Sequence, residues 1–210
     1  FTPSNGAAWT DLPTTMANLE VRQLTEIDTS TQSVFVGSSN IRIGSWKLLN
    51  GKIAELSLDS LVVAAGATLR IEGEFPLILL LRTTATIDGT IDASGFCVAP
   101  RAPGAGGGNG GTSAFRATGC SAGANAPATL PSAGGNGGGF GSSGGVGGNN
   151  SVPSGSCAME LTQLLQGGSG GGACTTSVGG DAGGALQISA QQRIVVTGKM
   201  LAQGCGGVGG

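Results

Sequence analysis

The sequence predicts an all-β chain: a parallel β-solenoid (β-helix) carrying a glycine-rich insertion, with a β-sandwich as the alternative. Three observations carry that expectation. A strand-like block recurs within the chain. Glycine is concentrated in the second half: eight of the 42 glycines lie in residues 1–100 and the other 34 in 101–210. The five cysteines fall beside or inside glycine-rich stretches, not in strand patterns.

Residues 1–60 open with a mixed, polar stretch that holds Trp9 and Leu19-Glu-Val-Arg-Gln-Leu24. The pattern then turns strand-like at Val34–Val36, Ile41–Ile43 and Ile53–Leu58. This segment shows no copy of the repeat. It reads as a cap or extension of a coil, in its own subunit or the next, with Trp9 as the anchor to a neighbour. On this reading, removal of residues 1–30 abolishes polymerisation and leaves the monomer folded. Trp46 reads as a core or coil-capping residue.

Residues 61–95 and 185–204 read as coils. Alternation is clearest over Ala85–Ala93, where Ala85, Ile87, Gly89, Ile91 and Ala93 share one face. The block Pro76–Gly95 aligns without gaps to Ala185–Gly204, an offset of 109 residues from Pro76 to Ala185. That alignment sets Ala85 beside Ile194, Ile87 beside Val196, Gly89 beside Gly198 and Ile91 beside Met200. A partial third copy, Leu61–Gly73, aligns to Leu77–Gly89 at an offset of 16 residues, from Leu61 to Leu77. Short strands repeated at such spacing point to stacked coils.

Residues 96–184 then form an insertion between successive coils. It holds three glycine tracts, Gly104–Gly111, Gly134–Gly148 and Gly167–Gly184, and a short helix candidate over Ala158–Gln166. Glycine chains adopt the threefold polyproline II helix, which has no internal hydrogen bonds. Without Cβ atoms such helices approach closely enough to pair backbone to backbone, so the tracts read as a polyglycine II bundle, with a flexible Gly/Ser linker as the alternative. Valine at Gly137 or Gly171 is expected to disorder it. Residues 205–210 read as the start of a further glycine tract that continues in a parent protein, and Phe1 as following a processing site.

A region without a side-chain core needs staples, and disulfides imply an oxidising compartment. Nearest-neighbour pairing gives Cys97–Cys120 and Cys157–Cys174 and leaves Cys205 unpaired or intermolecular. Histidine is absent and no C-x-x-C occurs, so no zinc site or other metal site is expected. With His and Tyr absent, the usual general bases are missing and no Ser-His-Asp or Cys-His arrangement is possible. Gly106–Gly111 matches G-x-G-x-x-G, but no helix pattern opens on it, so no dinucleotide cofactor is expected. Asp88 and Asp92, on one strand face, are too far apart for a glycosidase pair and read as solvated surface. An outward Thr83, Thr84, Thr86 and Thr90 array is broken in the second copy by Gln192, Arg193, Val195 and Lys199. Net charge is −2 with no basic cluster, which excludes a nucleic-acid partner. No apolar run reaches membrane-span length.

The run IDGTIDASG, the long G-G-x-G-G tracts and GGALQISAQQRIVVTGKMLAQGCGGVGG resemble glycine-rich secreted and surface proteins of myxobacteria and related bacteria. The likeness covers Leu61 to Gly210 and implies a β-helical fold and an extracellular or cell-surface location. The glycine packing is also similar to the polyglycine-helix bundles of phage tail-tip adhesins.

The expected function is a non-enzymatic extracellular structural protein: a subunit of a filament or surface layer, or an adhesive domain. Its expected partner is itself, stacked head to tail, with cell-surface glycans as a second partner and Trp9 and Phe140 as assembly contacts. A carbohydrate-binding or carbohydrate-cleaving β-helix, and an ice- or surface-binding module, are the alternatives.

Overall fold

The computed structural model describes residues 2–98, 101–127, 134–140, 142–148, 153–157 and 165–207. The helix candidate over Ala158–Gln166 lies almost wholly outside them. The chain divides into two compact units. One comprises Phe1–Ala93, Leu161–Leu165 and Leu186–Leu201; the other comprises Ser94–Glu160, Gln166–Ala185 and Ala202–Gly210.

Among its described residues the first unit is β apart from one short turn of helix at Trp9–Asp11. Its strands are β1 (Asn18–Val21), β2 (Thr25–Asp28), β3 (Ser33–Val36), β4 (Ser39–Ile41), β5 (Ser45–Leu49), β6 (Ile53–Leu58) and β7 (Ser60–Val63). They continue as β8 (Thr68–Glu72), β9 (Leu77–Leu81), β10 (Thr84–Ile87), β11 (Thr90–Asp92), β12 (Leu186–Ala190), β13 (Arg193–Val196) and β14 (Lys199–Leu201). Three sheets result, ordered β1-β7-β10-β13, β14-β11-β8-β2-β3-β4 and β12-β9-β6-β5.

The triplets β6-β7-β8, β9-β10-β11 and β12-β13-β14 visit the three sheets in the same order. Each strand runs parallel beside its counterpart in the preceding triplet. The last two rows take the expected register: Ala85 beside Ile194, Ile87 beside Val196 and Ile91 beside Met200. A Cβ on Gly198 would collide with the Gly89 carbonyl. That corner therefore closes only with glycine in the last row.

The offset of 16 is wrong. Ala85 pairs with Leu61, not Leu69, and Ile91 pairs with Leu69. Adjacent rows are linked across separations of 24 residues (Thr83 to Asp59) and 22 residues (Arg70 to Asp92). The shorter offset matched β8, in one sheet, to β10, in another. Both strands alternate buried and half-buried positions, so alternation alone cannot tell them apart.

Inward positions fill the space between the sheets. Leu61, Val63, Leu69, Ile71, Leu79, Ala85 and Ile87 are fully buried, and each large side chain contributes about 1.5–3 kcal/mol. β9 is buried on both faces. Its outward Ile78 and Leu80 are covered by Ala7, Leu49 and Ile53, with Trp9, Leu12 and Leu165 packed against them. The N-terminal segment is strapped across this sheet. Arg82 donates to the carbonyls of Pro13 and Thr14, and the side chains of Ser4 and Asn5 donate to Gln187.

Residues 1–60 are therefore not separate from the rows. β1 and β2 pair in parallel with β7 and β8, and β6 opens the first full triplet. Removal of residues 1–30 would strip two strands and the cover over Ile78 and Leu80. The expectation of a folded monomer without them is corrected accordingly.

The second unit has little side-chain core and a different hydrogen-bond period. Gly108 and Gly111 donate to the carbonyls of Gly168 and Gly171. Gly168 and Gly171 donate to Gly183 and Gly180, and Ala182 and Gly179 donate to Gly108 and Gly111. Gly123 and Ala126 donate to Gly170 and Ala173; Asn136 and Gly139 donate to Ala124 and Ser121. Within each pair the rungs are three residues apart on both chains. A β-ladder repeats every second residue, so this spacing belongs to chains with three residues per turn. Segment 167–173 is central: successive residues bond to segments 108–111, 179–183, 118–126 and 136.

Candidate functional site

Two disulfides close within the second unit, Cys97–Cys205 and Cys120–Cys157, and Cys174 is free. The nearest-neighbour pairing is thereby corrected on both bridges. Cys205 is bonded and Cys174 takes the unpaired place. The reason is the row register. The segments leaving β11 and β14 run side by side, with Gly95 N–H donating to the Gln203 carbonyl and Gln203 N–H to Ser94 Oγ. That path carries Cys97 to Cys205 across a separation of 108 residues. Ser121 likewise takes the Gly139 N–H, which brings Cys120 to Cys157. The Cys174 thiol is held by Ser177, with Oγ at 2.8 Å, and by Thr176. These hydrogen bonds to sulfur, that of Ser177 foremost, lower its pKa to about 7.

Asp181 is the one buried carboxylate of the second unit among its described residues. Its Oδ2 faces Arg101 Nε at 3.1 Å and its Oδ1 accepts the Gly110 N–H at 2.6 Å. Arg101 also reaches the Gly206 carbonyl. The pair clamps three backbone segments together. Asp181 and Phe140 line a cavity of about 530 Å³ whose walls are otherwise mostly glycine backbone. Among the described lining residues the one carboxylate is committed to the clamp. Phe140 is half-buried in that wall.

Asp88 is exposed, as expected, and Asp92 is half-buried, and both are engaged by neighbouring rows. Asp92 pairs with Arg70 of the preceding row at 3.2 Å, and Asp88 accepts from Thr197 of the following row at 2.5 Å. Both link neighbouring rows. Thr84, Thr86 and Thr90 lie beside Arg193, Val195 and Lys199, as the alignment sets them. Trp9, the expected intersubunit anchor, packs instead on its own chain's Ala7–Leu80 cluster.

The arrangement that stands out is the end of the rows. β12, β13 and β14 are each last in their sheet. Ile194, Val196 and Met200 occupy the inward positions over Ala85, Ile87 and Ile91. They are 43%, 46% and 47% exposed, against 0%, 0% and 1% for the residues beneath them. Among the described residues no further strand lies beside β12, β13 and β14, and this row presents an apolar face. The opposite end differs. There β3–β4 and β5 finish two of the sheets with antiparallel strands, and Leu19 and Val21 of β1 are buried. The spacing of apolar residues in the repeat could not distinguish a last row from a middle one, because both have the same pattern.

Among the described residues no group of three potential metal ligands converges, and no helix is long and apolar enough to cross a membrane. No family model, no curated protein and no solved structure matches this chain.

Proposed function

We propose that the protein is a non-enzymatic extracellular structural or adhesive module that assembles through the open face of its last row. On this reading the three-sheet unit is a β-solenoid, each triplet one coil, and the glycine-rich unit is a polyglycine II bundle fastened by its disulfides. The parallel pairing of successive triplets supports the first assignment, and the three-residue hydrogen-bond period supports the second. Two disulfides and the sparse charge suit an oxidising location, which is also where the likeness to secreted glycine-rich bacterial proteins points.

The carrying observation is the exposure of Ile194, Val196 and Met200 above inward residues of the preceding row, Ala85, Ile87 and Ile91, that are buried. A further row covers them, supplied by chain beyond Gly210 or by a second copy, and the second copy is the source proposed here. Head-to-tail addition sets β13 of one copy beside β1 of the next and propagates as a filament. Two open rows meeting face to face close as a dimer.

Sedimentation velocity over a concentration series tests the reading. The intact chain should self-associate, and Val196→Asp or Met200→Glu should return it to monomer with an unchanged circular dichroism spectrum. An intact chain that stays monomeric at high concentration overturns assembly. A plateau at twice the monomer mass selects face-to-face pairing over the filament.

A further inference from the structure

We propose that a cleft at the β3–β4 hairpin of the first unit is a saccharide site, with the ring of one sugar stacked on Trp46. The site lies away from the open row and does not depend on assembly. It has a volume of about 370 Å³, within the range of small-molecule sites.

Its walls combine one aromatic surface with planar polar groups: Trp46 on one side, Gln32, Ser33 and Asn40 from the hairpin, and Arg42. Trp46 is fixed by its strand, where it stands opposite Leu56 in the β5–β6 pair, yet it is only half-buried. A half-buried indole in a polar wall is an amphipathic platform. The C–H face of a pyranose fits it, because those hydrogens are weakly positive and the ring face is negative.

The polar groups match a ring bearing hydroxyls on its edge. A hydroxyl both donates and accepts, and the carboxamides of Gln32 and Asn40 offer both functions. The Arg42 guanidinium is a rigid fork of donors that spans two adjacent oxygens. Asn40 is held in place: its Nδ2 donates to Ser33 Oγ at 3.3 Å, and Ser33 donates to the Thr31 carbonyl at 3.3 Å.

The backbone is also set for this shape. Gln32 lies at φ 54°, a left-handed conformation that a residue with a Cβ rarely adopts. Gly44 lies at φ 70°, and a Cβ there would strike Leu56 and Leu58. That turn delivers Trp46 two residues later. A metal does not suit the cleft, which lacks a carboxylate, imidazole or thiol among the residues that line it. The two sugar sources that share this chemistry are a neutral glycan and a uronate, whose carboxylate would lie on Arg42.

The test uses the full chain with Trp9→Phe, which leaves Trp46 as the sole indole. Its emission is titrated with cello-, chito-, manno- and laminari-oligosaccharides and with oligogalacturonate, at low and high salt. A saturable change with at least one of them is expected. Calorimetric titration, which does not need the indole as reporter, reads the variants: Trp46→Ala should abolish binding, and Arg42→Ala should weaken it about tenfold, the worth of one charge-assisted hydrogen bond. Arg42 is exposed, so its variant keeps the fold. Affinity that falls with salt identifies the uronate, and salt-independent affinity the neutral glycan; both uphold the site. Emission that no sugar changes, or binding that survives both substitutions, overturns it.

Discussion

Alanine at Gly170 should unfold the glycine-rich unit, whereas alanine at its neighbour Gly171 should not. A Cβ on Gly170 would overlap the Asn109 carbonyl and sit 2.9 Å from the Gly110 nitrogen. Those atoms are backbone and cannot rotate away, so whole segments must separate. Forced separation of this kind costs about 1–3 kcal/mol. Gly170 also holds two rungs, its N–H to Thr118 and its carbonyl from Gly123. Each rung lost adds about 1 kcal/mol. The total, roughly 3–5 kcal/mol, is a large share of what a small unit has. A Cβ on Gly171 meets nothing closer than 3.4 Å, an ordinary contact. There the restricted unfolded chain gives a gain of up to about 1 kcal/mol. The period of three recurs: a Cβ at Gly168 has its nearest neighbour at 3.3 Å, while one at Gly167 would strike backbone at 2.6 Å. Of the two positions named from the sequence, Gly171 offers an ordinary contact for a Cβ, whereas at Gly137 a Cβ would lie 3.2 Å from the Gly145 backbone nitrogen, a tight contact. Hydrogen exchange at the amides of Gly111, Gly123 and Gly172, with limited proteolysis, reads the effect. Equal protection in the Gly170→Ala and Gly171→Ala chains would refute the three-residue packing.

Three further outcomes are expected. Non-reducing peptide mapping should recover Cys97 linked to Cys205 and Cys120 to Cys157; reduction should cost the second unit about 4–5 kcal/mol for the longer loop and about 4 kcal/mol for the shorter, less in sum because one lies inside the other. Alkylation of Cys174 should rise with pH through a midpoint near 7 and shift upward in Ser177→Ala, since the serine stabilises the thiolate. Glu72 has its carboxyl pKa raised by burial and then by the nearby Glu26 and Asp28. A raised folded-state pKa opposes folding once the group ionises, so Glu72→Gln should raise the melting temperature at neutral pH, with the gain fading as the pH falls below the carboxylate range.

The row register between β9–β11 and β12–β14 was legible because it needed only two gapless copies of one apolar alternation. The earlier rows were not. β8 and β10 share the same alternation but lie in different sheets, and sequence spacing carries no label for the sheet. β1 and β2 escaped notice because Glu20, Glu26 and Asp28 occupy their outward positions and dilute the apolar signal. The glycine content announced backbone packing, yet which glycines tolerate a Cβ depends on the rotation of each chain about its axis. Disulfide partners followed the rows, not the distance along the chain. The open row and the Trp46 cleft are products of tertiary placement, and no motif of residue types marks either.

The Cys97–Cys205 bond has a mechanical consequence. A pull applied to the two ends of the chain passes through that bond and skips the 108 residues of separation it spans. At about 3.3–3.6 Å per residue this hides roughly 36 nm of contour length. The residues between Cys97 and Cys205 then bear no tension while the bond is intact, and a reductant converts them into slack. In a single-molecule stretching trace the oxidised protein should be shorter at rupture by that length. A tether of this design stays stiff in an oxidising medium and becomes extensible in a reducing one.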